Sequence, residues 1–402
     1  MKYIMLVGDG MADRPVKELD NLTPLAVART PNMDYIAKNG MVGNAVTVPE
    51  GLQAASDVAN TALLGYDPVK YYCGRGPLEA ANMGIEIQDN EVAFRCNTVT
   101  ISDDKMADYS AGHITTKESQ KIISVLDRQM HSKTVKFYPG ISYRHLAIIN
   151  CDQAGLEKEA LVKTVCTPPH DILDKHISRY LPHGPGGDFL ADIMIKSKNI
   201  LEKHDINKVR IDLKENPANM IWLWGQGVKP VMPVFKDKFG ISGSIISAVD
   251  LIKGLGKIIG LEPVNVPGAT GYYDTDYLAK GRCALKSLES GDFVFVHVEA
   301  PDEAGHNGDL QQKIAAIENF DKFVVGTILN ALSKSKDFRI IVLPDHATPL
   351  SVRTHTREPI PFAICGSGVE RGGIETYNEQ SARASRLFIK DGFRIMELLL
   401  NK

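Results

Sequence analysis

Aspartate and histidine recur in this 402-residue sequence at places where oxygen and imidazole donors could hold a divalent cation: Asp9, Asp302, His306, Asp345, His346 and His355. A donor set without thiolates suits Mn2+, Mg2+ or Zn2+, and a mixture of Asp and His favours Mn2+ or Zn2+. Three aspartates and three histidines are enough for two ions. Paired ions roughly 3.5–4 Å apart are a standard arrangement for phosphoryl transfer. The densest stretch is "VFVHVEAPDEAGHNGD" (294–309), where Asp302, Glu303, His306 and Asp309 follow directly on an apolar run. Buried charges are costly unless they are paired or bound to a metal. Taken singly, Asp345-His346 is equally consistent with a helix cap and His355 with a surface loop. The repetition argues for a site.

A nucleophile accompanies these donors. In "AASDVANTALLGYDP" (54–68), Ser56 stands just before an apolar helical pattern. Serine is a preferred helix N-cap, but a helix N-terminus also stabilises an anion and offers amides to a phosphate. A serine hydroxyl attacks poorly unless a base or metal activates it. A neighbouring cation would supply that activation.

Three apolar runs must position these residues: "KYIMLV" before Gly8-Asp9-Gly10, "DFVFVHV" before Glu299, and "FRIIVL" before Pro344-Asp345-His346. Rich in Val, Ile and Leu, they read as strands covered on both faces. Strands alternating with helical patterns predict an α/β fold with a mostly parallel sheet flanked by helices. Ligands of such sheets bind beyond the carboxyl ends of the strands, so the three strand ends predict one site on one edge.

The middle of the chain reads differently. "EVAFRCNTVTIS" and "YRHLAIIN", separated by charged and helical stretches, predict an inserted α+β domain over residues 85–217. The outer domain then comprises residues 1–84 and 218–402, with "NMIWLWGQG" (219–227) as the strand returning to it and Gly84 and Pro217 as hinge points. Two domains suit this length. A net charge of -3 gives no reason to expect nucleic acid or an anionic membrane. The six cysteines form no CxxC pair, which fits reduced thiols in a cytoplasmic protein. The run before Gly8 is too short for a signal sequence, and no stretch approaches the roughly 18 apolar residues of a membrane span.

Together, "LVGDGMAD", "SDVANTALLGYDP", "GRGPLEAANMGI", "APDEAGHNGD", "PDHATP" and "RTHTREPIPF" resemble the archaeal-type cofactor-independent phosphoglycerate mutases of the alkaline phosphatase superfamily. The resemblance spans nearly the whole chain. It implies an alkaline-phosphatase-like fold, a dinuclear metal site, a phosphoserine intermediate and an inserted substrate domain. Position by position, Asp9, Ser56, Asp345 and His346 would hold one metal, and Asp302, His306 and His355 the other. Ser56 would be the nucleophile. Glu303 and Asp309 are left outside the ligand set. Asn60 stands where the better-known bacterial mutases have a histidine, so the archaeal-type branch is the one that matches.

The activity so implied is interconversion of 3-phosphoglycerate and 2-phosphoglycerate without 2,3-bisphosphoglycerate. The metals would be two divalent ions, Mn2+ before Zn2+ or Mg2+, and the partner a small phosphorylated metabolite. A homoserine kinase-like phosphotransferase or a metal-dependent phosphomonoesterase would use the same site. "HGPGGDF" (183–189) lacks the Lys-Ser/Thr of a phosphate-binding loop and reads as a turn. Arginine is the expected clamp for the substrate's phosphate and carboxylate, which singles out Arg75 and Arg144, with His113 beside them and His170-Asp171 less so.

Overall fold

A computed structural model describes residues 1–130, 133–332 and 337–401. The chain divides into two compact units, residues 1–72 with 232–402, and residues 73–231.

The first unit is built on an eight-stranded sheet, in the order Phe388–Ile389, Gly40–Ala45, Ile360–Gly366, Phe338–Leu343, Lys2–Gly8, Phe293–Val298, Gly243–Ile246, Glu262–Pro263. The strands from Phe338–Leu343 to Glu262–Pro263 run parallel, while Ile360–Gly366 lies antiparallel to both neighbours. The mostly parallel α/β class expected from the sequence is met. Its three predicted strands are adjacent, and apart from the partly buried Tyr3 and Phe338 at their starts their apolar residues are buried, each contributing about 1.5–3 kcal/mol to the core. Register then fixes the site. Val7 pairs with both His297 and Leu343, so the three strands end at one level and release Asp9, Glu299 and Asp345 together.

The second unit holds an antiparallel sheet and its own core, the α+β organisation expected of the insertion. Its limits differ from those expected. Met220–Gly227 does not return to the outer sheet; it pairs antiparallel with Glu91–Ser102, and Trp222 is wholly buried in the core of this unit. The Arg75–Met83 helix also belongs here, packing Ala80 against Ala93, Leu146 and Ile148. Gly84 is therefore no hinge. It caps that helix in the left-handed conformation, with φ 71°, where glycine carries no Cβ penalty. Pro217 is likewise internal, its carbonyl accepting the Thr100 hydroxyl at 2.8 Å.

Candidate metal centre

Asp9 follows its strand directly and stays in register, its amide donating to the Val298 carbonyl at 2.9 Å. Gly10 turns the chain with φ 59° and donates its amide to Asp345 Oδ1 at 3.2 Å. A Cβ at Gly10 would stand 2.5 Å from Thr348 Oγ1 and 2.6 Å from Asp302 Oδ1, so only glycine leaves Asp302 in place. Gly10→Ala should consequently weaken metal binding by at least about tenfold, measurable by titration of the metal-stripped chain.

Asp345 is completely buried. Its Oδ1 also accepts the His346 amide at 2.8 Å, and its Oδ2 accepts the Asn60 side-chain amide at 2.7 Å. Ser56 is the first residue of the Ser56–Leu63 helix; Ala55 is the N-cap, and no side-chain cap bond forms. Serine is thus not spent on capping. Its Oγ lies 3.1 Å from His346 Nε2.

Asp302 and His306 stand on a helix, Ala300–Asn307, which follows the strand and opens with Pro301 in its first turn. The i,i+4 spacing puts both on one face, with His306 Nε2 3.1 Å from Asp302 Oδ2. His355 Nε2 lies 3.5 Å from Asp302 Oδ1 and 3.0 Å from His306 Nε2. His346 Nε2 lies 3.4 Å from Asp9 Oδ1 and 3.6 Å from Asp345 Oδ2. Donor atoms of Asp9, Asp345 and His346 fall within 4.8 Å of one another, as do those of Asp302, His346 and His355. The structure brings together all seven residues expected at the metals. Glu303 lies outside both groups, and Asp309 caps the Leu310–Asn319 helix by accepting the Gln312 amide.

The donors fit divalent cations. His306 and His355 direct Nδ1 at the Arg353 and Ala54 carbonyls, 3.0 and 3.3 Å away, and His346 Nδ1 lies 3.2 Å from Thr348 Oγ1. Such partners orient metal-binding imidazoles. With both Nδ1 protons so committed, the facing Nε2 lone pairs of His306 and His355 require a proton or a cation between them. Asp9 Oδ1 is buried without a hydrogen bond. Burial, then the charges of Asp345 and Asp302, push the Asp9 carboxyl far above its ordinary range, a penalty that a bound cation removes. Burial disfavours the charged form of His306, but Asp302 outweighs it and raises the imidazole to about 9. Ligating imidazoles must lose that proton. Metal affinity should therefore rise with pH towards about 9 and fall below it, and binding near neutrality should release protons. Calorimetry in buffers of different ionisation enthalpy reads that release directly.

Sequence reasoning missed three neighbours. Thr348 donates its hydroxyl to Asp302, Asn60 orients Asp345, and His297 is fully buried with Nε2 3.4 Å from Asp9 Oδ2. His297 had one signal, as the polar interruption of an apolar strand.

The sequence is 48% identical over 402 residues to the 2,3-bisphosphoglycerate-independent phosphoglycerate mutase 2 of Methanothermobacter thermautotrophicus, covering 100% of this chain and 98% of that one. It is 51% identical to the corresponding mutase of Methanosarcina acetivorans, over 95% of each. This chain belongs to the 2,3-bisphosphoglycerate-independent phosphoglycerate mutase family. The family's sequence profile of that description matches residues 37–207. The solved structure of the cofactor-independent phosphoglycerate mutase from Thermoplasma acidophilum is similar, with a TM-score of 0.66 at 26% identity, covering 100% of this chain and 99% of that one. Membership implies divalent metal ions, in keeping with the donor groups above. No helix among the described residues is long and apolar enough to cross a membrane.

In the inserted unit, the expected clamp residues of this mutase-family chain share one aromatic patch. Arg75 and Arg95 each stack on Trp224 at 5.2 Å. Contacts run from Trp224 to His170, Tyr109, Tyr143 and His113, and Arg144 lies over Tyr143 at 5.9 Å. Burial, opposed by Glu79 and reinforced by Arg75 and Arg144, lowers the Arg95 pKa. Arg95 was not foreseen, because "EVAFRCNTVTIS" reads as an ordinary strand.

Proposed function

We propose that this chain interconverts 3-phosphoglycerate and 2-phosphoglycerate through a phosphoserine at Ser56, in the cytoplasm, without 2,3-bisphosphoglycerate. The observation that carries this reading is the Ser56 hydroxyl, uncommitted to capping and 3.1 Å from His346 Nε2 at the edge of the two donor groups. In it, Asp9, Ser56, Asp345 and His346 hold one ion, and Asp302, His306 and His355 hold the other. Mn2+ is the ion we assign to this donor set, ahead of Zn2+ or Mg2+, which the same mixture of carboxylate and imidazole donors accommodates. Bound there, divalent cations activate a hydroxyl and stabilise charge on phosphoryl oxygens.

The chain's own residues do the rest. Asn60 and the Gly10 amide fix Asp345, Thr348 fixes Asp302, and the helix start places Ser56 beside His346. Arg75, Arg144 and His113, with Arg95, bind the carboxylate and phosphate of the substrate. The glycerate is retained, so that the phosphoryl group on Ser56 returns to its other hydroxyl rather than to water. The purified chain with Mn2+ should convert 3-phosphoglycerate in an enolase-coupled assay and release little inorganic phosphate. Phosphate release without 2-phosphoglycerate would make it a phosphatase. ATP-dependent phosphorylation of homoserine in place of mutase activity would make it a kinase.

A further inference from the structure

Lys280 is fully buried in the Tyr277–Ser290 helix, an unfavourable place for a charge unless it is paired. Its ammonium donates to Glu299 Oε2 at 2.7 Å and to the His297 carbonyl at 3.0 Å. The other Glu299 oxygen accepts the Ser247 hydroxyl at 2.8 Å and the Ala248 amide at 2.9 Å. It also lies 3.3 Å from Nδ1 of His297. His297 is buried completely, and its Nε2 points at Asp9 Oδ2, 3.4 Å away, and Asp345 Oδ2, 3.7 Å away. That nitrogen has no hydrogen-bond partner. Contacts of catalytic groups are often long before ligands bind and tighten afterwards.

Apolar residues of similar volume would serve the fold as well as such a buried charged row, and often better. The row therefore points to a task at its end. We propose that His297 is a positioning residue for the reaction: it holds Asp9 by the far oxygen, Oδ2, so that Oδ1 is presented beside His346. Glu299 and Lys280 hold the imidazole in that orientation. The ion between Asp9, Asp345 and His346 depends on the row, whereas the ion between Asp302, His306 and His355 does not. This inference rests on the proposed reading of both groups as metal ligands.

The test uses the metal-stripped full-length chain, calorimetric titration with Mn2+, and His297→Gln against His297→Asn. Both amides are polar and smaller than imidazole, but only the glutamine amide reaches the depth of Nε2. The wild type should bind two ions. His297→Asn should weaken one of them about 10- to 100-fold and leave the other unchanged. His297→Gln should recover most of that loss, and kcat should follow occupancy of the weakened site. Equal affinities for the two variants, or wild-type affinities for His297→Asn, would overturn the inference. A wild type that binds no Mn2+ would overturn the metal reading itself, which is a separate failure. Should His297→Asn not fold, Glu299→Gln, which keeps the shape of the row, should weaken the same ion about tenfold. Wild-type affinity in that variant would equally overturn the inference.

Discussion

Ser56→Ala should fold, bind both metal ions and lose mutase activity by about 10^4-fold or more. The first two expectations follow from the helix start. Ala55, not Ser56, is the N-cap, and the Ser56 side chain makes no cap bond, so even the roughly 1 kcal/mol expected of a lost cap does not apply. The metal donors of Asp9, Asp345 and His346 remain, and Asn60 still holds Asp345. The third follows from chemistry, because the hydroxyl that would carry the phosphoryl group is gone. A 10^4-fold loss corresponds to about 5.5 kcal/mol of barrier, far beyond what a methyl-for-hydroxymethyl change at this half-buried position does through stability. Activity within tenfold of wild type, in protein with an unchanged melting temperature, would remove Ser56 as nucleophile.

Chelation should abolish turnover, by about 10^3-fold or more, and Mn2+ should restore it better than Ca2+. The carboxylates of Asp9 and Asp345 are buried side by side, and the facing His306 and His355 nitrogens stand 3.0 Å apart. Without cations this arrangement repels itself, so stripping should also lower the melting temperature, and Mn2+ should raise it with the logarithm of its concentration over Kd. Ca2+ prefers six to eight oxygen ligands, a poor match for groups rich in imidazole. Anomalous scattering from Mn2+-soaked crystals should place two ions, one by Asp9 and one by Asp302. A single ion with full activity would overturn the two-metal reading.

The site was legible in the sequence because its donors sit next to features that local chemistry dictates. Three apolar runs lead directly into Asp9, into Glu299 and the helix that carries Asp302, and into Asp345, and parallel pairing of Val7 with His297 and Leu343 makes those ends coincide. Asp302 and His306 are also four apart, the helical spacing that puts both on one face. What was not legible depends on partners distant in the chain. The apolar run Met220–Gly227 suits either sheet by composition; only its pairing with Glu91–Ser102 and the burial of Trp222 decide which. Gly84 marks a boundary as readily as a helix cap until its φ is known. His297 looks like a flaw in a strand until Asp9, Glu299 and Lys280 converge on it.

The central claim is a phosphoryl group carried on Ser56, and the direct measurement is acid quenching of the Mn2+-loaded enzyme during turnover of 3-phosphoglycerate, followed by peptide mass spectrometry. One added phosphoryl group should appear on the peptide containing Ser56, at a level that rises with substrate concentration, and it should be missing from Ser56→Ala. Turnover at the full wild-type rate with no phosphorylated peptide, or with the phosphoryl group on another residue, would contradict the account.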